Sequence, residues 1–164
     1  MGIKSILWIE DDAFNELGKL ATPVYYEGEY DLQFAVTVTE AFNKLRETEY
    51  DAVVVDVRLP PGDDPRWIKI YYKAAADNKA ARLGVRLLQS LLGRDKDWTS
   101  SLPLAARDPK LYGVLSMDSW EDIRADLEPV GVTLYRNKNE GSDVLLTIIQ
   151  DILSARNGGG DYVS

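Results

Sequence analysis

Four short apolar runs, widely separated in the chain, each end in polar or charged residues. Runs of this length are typical of buried β-strands. In an open parallel sheet, ligands bind in the crevice outside the carboxyl ends of the strands. If the four runs are parallel neighbours, three acids, a hydroxyl and an ammonium group meet at one edge, which suits a hard divalent cation and a phosphoryl group. The runs are Ile6–Ile9 before Glu10, Asp11 and Asp12; Ala52–Val55 before Asp56; Tyr112–Leu115 before Ser116; and Val132–Tyr135 before Arg136, Asn137 and Lys138.

The sequence contains neither cysteine nor histidine. The lack of cysteine excludes disulfides, thiolate zinc sites and a cysteine nucleophile. The lack of histidine excludes a Ser-His-Asp triad, imidazole metal ligands and a phosphohistidine on this chain. Any bound metal must therefore have oxygen ligands, which indicates Mg²⁺, Ca²⁺ or Mn²⁺.

Length and charge narrow the class of protein. A chain of 164 residues is expected to form one domain with a substantial core. The net charge of −8 argues against a general affinity for nucleic acid or for an anionic membrane. The sequence shows no apolar run of the ~20 residues that span a membrane and no signal-peptide pattern, so we expect a cytoplasmic protein.

The order of predicted elements is (βα)₅, an α/β fold with a doubly wound five-stranded parallel sheet and helices on both faces. We expect one domain over residues 1–156 and a flexible glycine-containing tail over 157–164. The predicted strands cover 3–9, 31–36, 51–55, 112–115 and 132–135. The predicted helices lie near 13–20, from Thr39 onward, over 67–75, over 83–92, near 119–128 and near 142–155.

At these positions the chain resembles the response-regulator receiver domain of two-component signalling, the CheY-like superfamily. The acidic pair after the first strand, the segment Asp56–Pro60, and a serine and a lysine after the fourth and fifth strands match the receiver motifs in order. The spacings between these positions also fit. The matching residues are Glu10, Asp11, Asp56, Leu59, Pro60, Ser116, Tyr135 and Lys138.

The resemblance implies a flavodoxin-like three-layer sandwich and a role for each matching residue. Asp56 would be the phosphoacceptor, with Lys138 and Ser116 contacting the phosphoryl group. Mg²⁺, or Mn²⁺ in its place, would be held by Glu10, Asp11, Asp56 and the backbone carbonyl of Arg58. Ser116 and Tyr135 would form a switch that reports phosphorylation.

The resemblance also implies partners. The phosphoryl group would come from a histidine kinase, a histidine phosphotransfer protein or a small phosphodonor. The chain would then act as a single-domain response regulator on a downstream protein target, with no enzymatic activity beyond self-phosphorylation and slow autodephosphorylation. A homodimer is a further possibility.

Three features depart from the receiver pattern. Asn139 stands where a proline, commonly after a cis peptide bond, is usual, and Met117 replaces a small residue. The stretch between Asp56 and Ser116 is also longer than one βαβ unit needs, which predicts insertions at about 63–82 and 94–110 around the third helix.

The aromatic residues Trp67, Tyr71 and Tyr72 make 63–82 a candidate partner surface, although these rings could instead pack against the domain. The resemblance also implies that Arg58 and Asp118 flank the path of the hydrolytic water, since both lie two residues past a site residue. Their opposite charges predict a salt bridge that gates the lifetime of the phosphorylated state.

Two other functions remain open on the sequence. One is a pseudo-receiver that acts as a constitutive interaction module. The other is a Mg²⁺-dependent phosphohydrolase on a similar sheet. The second would need an acid two residues after the nucleophile, where this chain has Arg58.

Overall fold

The computed structural model describes residues 2–75, 82–93 and 99–161. Their centre is a five-stranded sheet in the order β2-β1-β3-β4-β5, and every neighbouring pair is parallel. This order confirms the predicted doubly wound fold. The strands are β1 (Lys4–Ile9), β2 (Tyr30–Ala35), β3 (Ala52–Val55), β4 (Tyr112–Ser116) and β5 (Tyr135–Asn137).

Six α-helices and five 3₁₀ turns connect the strands within the described residues. The α-helices are α1 (Thr22–Glu27), α2 (Val38–Glu47), α3 (Pro65–Ala75), α4 (Leu83–Leu92), α5 (Trp120–Leu127) and α6 (Val144–Asp161). The 3₁₀ turns are Glu16–Ala21, Leu104–Arg107, Pro109–Leu111, Glu128–Val130 and Lys138–Glu140.

Alternate residues of the central strands enter two separate hydrophobic clusters, because successive side chains point to opposite faces of a sheet. Leu7 and Ile9 of β1 pack with apolar residues of α2, α4 and α5. Ile6 and Trp8 pack with apolar residues of α1 and α6. Helices therefore cover both faces, which is the predicted three-layer arrangement.

The first helix lies later in the chain than predicted. Instead of a helix near 13–20, the structure has turns, the 3₁₀ turn Glu16–Ala21 and then α1 from Thr22. Gly18 disfavours a helix in the predicted position, whereas Pro23 suits a first helical turn. The next helix begins at Val38 rather than Thr39, because the Thr37 hydroxyl caps it by accepting a hydrogen bond from the Glu40 amide.

Two predicted boundaries near the C-terminus also shift. The strand predicted over 132–135 begins only at Tyr135, which pairs with Val114, and β5 continues to Asn137. Helix α6 runs to Asp161, so residues 157–161 of the predicted tail are helical. A helix anchored by buried residues such as Ile152 extends at little cost per residue. Residues 162–164 lie outside the described residues.

We call residues 63–82 the inserted segment. It contains α3, which begins after Asp64, whose carboxylate accepts a hydrogen bond from the Arg66 amide. Trp67 is buried in the cluster shared by α2, α4 and α5, and Tyr71 packs against it. Only Tyr72 of the three aromatic residues is exposed, at 69%. The prediction of an aromatic partner surface is therefore wrong for Trp67, because this ring belongs to the core.

The second predicted insertion, 94–110, also contributes to the core where it is described. Leu102 and Ala106 are buried, and the buried hydroxyl of Tyr112, at the start of β4, donates a hydrogen bond to the Ala106 carbonyl at 2.6 Å. The predicted loop therefore folds as two 3₁₀ turns under the fourth strand. Residues 94–98 lie outside the described residues.

No helix in the described parts of the chain has the length and apolar character required to span a membrane.

Candidate phosphorylation site

The candidate site lies at the carboxyl ends of β1 and β3, the central neighbours of the sheet. The connections from these two strands pass to opposite faces, which opens a crevice between them. The residues after each strand remain tied to the sheet: the Glu10 amide donates to the Ala35 carbonyl at 2.9 Å, and the Asp56 amide donates to the Ile9 carbonyl at 3.0 Å. The sheet itself therefore fixes the backbone of both acids.

A cleft of about 280 Å³ opens at this point. Residues from the ends of four strands line it, so the structure brings together the polar residues that the sequence placed at strand ends. The lining residues are Glu10, Asp11, Asp12, Leu17, Asp56, Arg58, Ser116, Met117, Asp118 and Lys138.

Lys138 is the central cation of the cleft. Its Nζ atom lies 2.9 Å from Asp56 Oδ2 and 2.5 Å from Glu10 Oε1, and all three side chains are almost fully buried. The 3₁₀ turn Lys138–Glu140 positions it, stabilised by a capping box between Asn137 and Glu140. The Lys138–Asn139 peptide bond is trans, since the described residues include no cis peptide.

The cleft carries more negative charge than Lys138 neutralises. Burial raises the pKa of Glu10 to about 8, with added repulsion from Asp56. Burial also raises the pKa of Asp56, although Lys138 opposes the shift. Burial lowers the pKa of Lys138, but the attraction of Asp56 and Glu10 outweighs it, so the net pKa of the lysine is raised. A further cation would stabilise this site.

The three predicted acidic metal ligands meet in one cluster. Oxygen atoms of Glu10, Asp11 and Asp56 all lie within 4.8 Å of one another, with Asp11 exposed to solvent and the other two buried. Three carboxylates around an opening are a ligand set that hard cations such as Mg²⁺ and Ca²⁺ prefer. The burial and carboxylate crowding that raise the pKa of Glu10 are a second feature that fits such an ion, because a cation would favour the ionised form of Glu10.

Ser116 is buried at the end of β4, and its hydroxyl is engaged by Asp118. The Asp118 amide donates to Ser116 Oγ at 3.0 Å, and Ser116 Oγ donates to Asp118 Oδ2 at 3.5 Å. Tyr135 is half-buried and stacks near Trp120, and its hydroxyl donates to the Asp118 carbonyl. Asp118 therefore contacts both predicted switch residues.

Arg58 and Asp118 form the predicted salt bridge at the mouth of the cleft. The guanidinium donates Nε to Asp118 Oδ2 at 3.0 Å and Nη2 to Asp118 Oδ1 at 2.9 Å. This two-point geometry fixes both side chains more firmly than a single contact. Arg82, which sequence reasoning missed, adds a second guanidinium 3.8 Å from the same carboxylate. Nothing in the sequence around Arg82 signals this contact, because it depends on how the inserted segment ends.

Many solved structures similar to this chain are response-regulator receiver domains. A CheY-like receiver protein from Methanospirillum hungatei aligns over 96% of this chain and 99% of its own, with 17% identity and a TM-score of 0.61. The non-phosphorylated HemR receiver domain from Leptospira biflexa aligns over 92% and 94%, with 23% identity and a TM-score of 0.55. This chain has the CheY-like receiver fold.

A further receiver-type structure was solved with its aspartate phosphorylated. It is a response regulator from Burkholderia pseudomallei with a phosphorylated aspartic acid, a calcium ion and citrate. It is 18% identical to this chain, covers 96% of it and 72% of its own length, and has a TM-score of 0.56. Neither a protein-family model nor a curated protein sequence matches this chain. Structural similarity thus shows the receiver fold. The sequence identities are too low to assign a function from these structures.

Proposed function

We propose that this protein is a single-domain response regulator that accepts a phosphoryl group on Asp56 and signals by phosphorylation-dependent contact with another protein. The observation that carries the proposal is the contact of Lys138 with both Asp56 and Glu10 inside the cleft. Lys138 lies 82 residues from Asp56 in the chain, so the fold has assembled this contact. The presence of all the polar site residues favours a phosphorylatable receiver over the constitutive module; these are Glu10, Asp11, Asp56, Ser116 and Lys138.

The chemistry is transfer of a phosphoryl group to a carboxylate. An oxygen of Asp56 attacks the phosphorus of a phosphohistidine on a partner, an O–P bond forms, and the N–P bond breaks. The electron pair of that bond returns to the imidazole, which takes up a proton. Lys138 opposes the rise in the pKa of Asp56 that burial causes, and it would offset the charge of the phosphoryl oxygens after transfer.

Glu10, Asp11, Asp56 and the backbone carbonyl of Arg58 would hold a Mg²⁺ ion, or Mn²⁺ in its place. When bound, the ion supplies the positive charge that the three carboxylates and the phosphoryl oxygens need. Asp11 is exposed, so an ion that enters from solvent would meet this ligand first.

The donor must be another molecule, because this chain contains no histidine. A histidine kinase, a histidine phosphotransfer protein or a small phosphodonor fits this requirement. The output would be a protein contact through the face formed by β4, α5 and β5, where Ser116 and Tyr135 lie. The proposed chemistry includes slow autodephosphorylation and no other reaction.

The experiment is incubation with a small phosphodonor and Mg²⁺, followed by intact-mass measurement. We expect one added phosphoryl group in the wild type and in Asp63→Asn, a matched control at an exposed aspartate outside the cleft. The addition should be absent in Asp56→Asn and in excess chelator. A phosphorylated Asp56→Asn protein would overturn the assignment, and an unmodified wild type would favour the constitutive interaction module.

A further inference from the structure

Arg82 is the last residue of the inserted segment, and its side chain reaches the mouth of the phosphorylation cleft. Its Nη2 lies 3.8 Å from Asp118 Oδ1, and its Nη1 donates to the Asp122 carbonyl of α5 at 3.2 Å. Its own carbonyl accepts hydrogen bonds from the Val85 and Arg86 amides in the first turn of α4. Arg82 therefore joins α4, α5 and the carboxylate that bridges to Arg58.

Asp118 needs a cation at all times. Its side chain is only 9% exposed and lies in the same cleft as Glu10, Asp11 and Asp56. A buried carboxylate that loses its counterion is destabilised far more than an exposed one. If Arg58 were the sole partner of Asp118, moving Arg58 away from the cleft would leave this carboxylate buried without compensation.

The two arginines differ in their freedom to move. The Arg58 side chain is 55% exposed, and within the described residues its side-chain hydrogen bonds all go to Asp118. The Arg82 side chain is 27% exposed and is also held by the backbone of α5. Arg58 is thus the member that can turn into solvent once its two hydrogen bonds to Asp118 break, whereas Arg82 keeps its hydrogen bond to the backbone of α5.

We infer that Arg82 is a positioning residue that allows the Arg58 side chain to move away from the cleft. Arg82 neutralises and holds the Asp118 carboxylate while Arg58 leaves the mouth of the cleft. The inserted segment thereby delivers a second cation to the site. This inference rests on the proposed function, since the rate it changes is that of phosphoryl entry to and loss from Asp56. Without Arg82, Asp118 depends on Arg58 alone, and Arg58 stays over the cleft for a larger fraction of time.

The test is a cycle of variants at Arg82 and Arg58, measured with a small phosphodonor and by decay of the phosphorylated protein. Arg82→Ala should slow both reactions roughly three- to tenfold, a change within the range of a modest ion-pair energy. Arg58→Ala should speed both, and adding Arg82→Ala to it should have no slowing effect. Arg82→Lys, which keeps the charge without the two-pronged guanidinium, should fall between Arg82→Ala and the wild type.

Arg86→Ala is the matched control, because Arg86 is exposed on α4, the helix that follows Arg82, and does not line the cleft. It should leave both rates unchanged. Equal slowing by Arg82→Ala in the wild type and in Arg58→Ala would overturn the inference, because the loss would then come from displacement of α4. Unchanged rates in Arg82→Ala would overturn it as well.

A second measurement tests the inference and does not require phosphorylation. Solvent exchange of the Arg58 Nε–H, followed by NMR in the unphosphorylated protein, should be slower in Arg82→Ala than in the wild type. Faster or unchanged exchange would contradict the inference, even in a protein that accepts no phosphoryl group. Failure of the wild type to be phosphorylated would overturn only the proposed function.

Discussion

Gly84 lies directly against the backbone of Asp56: a Cβ atom at this position would be 1.9 Å from the Asp56 carbonyl oxygen. The Gly84 amide also donates to the Val57 carbonyl at 2.8 Å. The start of α4 and the candidate phosphoacceptor are therefore packed backbone to backbone. Any residue with a side chain would have to separate them.

We expect Gly84→Ala to push α4 away from Asp56 and to lower the free energy of unfolding by about 1–3 kcal/mol or more, as overpacking does. Denaturant unfolding measures this change. Gly2→Ala is the control, since a Cβ there would contact nothing within 4 Å. A Gly84→Ala protein as stable as the wild type would contradict the packing.

Trp67 should be a determinant of stability rather than of binding. Its ring is buried in the core, so Trp67→Ala should reduce the free energy of unfolding by about 3–5 kcal/mol. Tyr72→Ala, on the exposed side of the same helix, should change stability by less than about 0.5 kcal/mol. Thermal unfolding of both variants provides the comparison. Equal stability of the two variants would contradict the core role of Trp67 and would favour the predicted aromatic partner surface.

The stability of the metal-free protein should fall as pH rises from about 5 to 8. The pKa of Glu10 is about 8 in the folded protein and 4.5 in an unperturbed chain, so the unfolded state releases its proton first. The stabilisation is present below pH 4.5 and is lost as pH rises through 8. Denaturant unfolding at several pH values should show this slope, which Glu10→Gln should reduce.

Two further results should accompany this pH slope. Glu49→Gln, at an exposed position, should keep it. Mg²⁺ should bind more tightly at high pH and release protons, because its carboxylate ligands must be ionised. A slope of the opposite sign in the wild type would contradict the raised pKa of Glu10.

Removal of the Arg58–Asp118 salt bridge should shorten the life of the phosphorylated protein. The bridge lies at the mouth of the cleft, where it would obstruct in-line attack by water on a phosphoryl group. Arg58→Ala and Asp118→Ala should each speed autodephosphorylation, with non-additive effects in the double variant. The effect of Arg58→Ala on stability should be small, since Arg58 is largely exposed. Half-lives equal to that of the wild type in both single variants would rule out the gate.

Phosphorylation should be read out through Ser116 and Tyr135. A phosphoryl group on Asp56 would draw the Ser116 hydroxyl away from Asp118, whose carbonyl accepts the Tyr135 hydroxyl. This shifts an existing equilibrium on the face of β4, α5 and β5. Ser116→Ala and Tyr135→Ala should therefore weaken the dependence of partner binding on phosphorylation, measured by affinity with and without phosphodonor. Full dependence in both variants would contradict the coupling.

The sequence predicts the sheet and the acidic centre of the site well, because both depend on local patterns. Buried strands read as continuous apolar runs, and parallel order places the residue after each run at one edge. Asp56 and Lys138 meet in the structure for this reason. The Arg58–Asp118 bridge was predictable in the same way, since each residue lies two positions past a strand-end residue.

The remaining features depend on contacts that no local pattern encodes. The burial of Trp67 depends on where the inserted segment crosses the sheet, and amphipathic spacing alone cannot separate a core ring from a binding ring. The contact of Arg82 with Asp118 requires the end of that segment to meet α5. Helix α1 begins late because turns and a 3₁₀ turn occupy the residues after Asp11. Helix propensities alone do not predict which of these structures forms.

The ring of Trp120 lies 5.5 Å from that of Tyr135, at an interplanar angle of 36°. Trp8 and Trp67 are buried in the two core clusters, so their surroundings should stay constant while the tyrosine moves. Trp98 lies outside the described residues and can be replaced by phenylalanine. The fluorescence of Trp120 then becomes an intrinsic optical signal of the tyrosine position. The occupancy of each switch state can accordingly be followed in real time in the unlabelled protein.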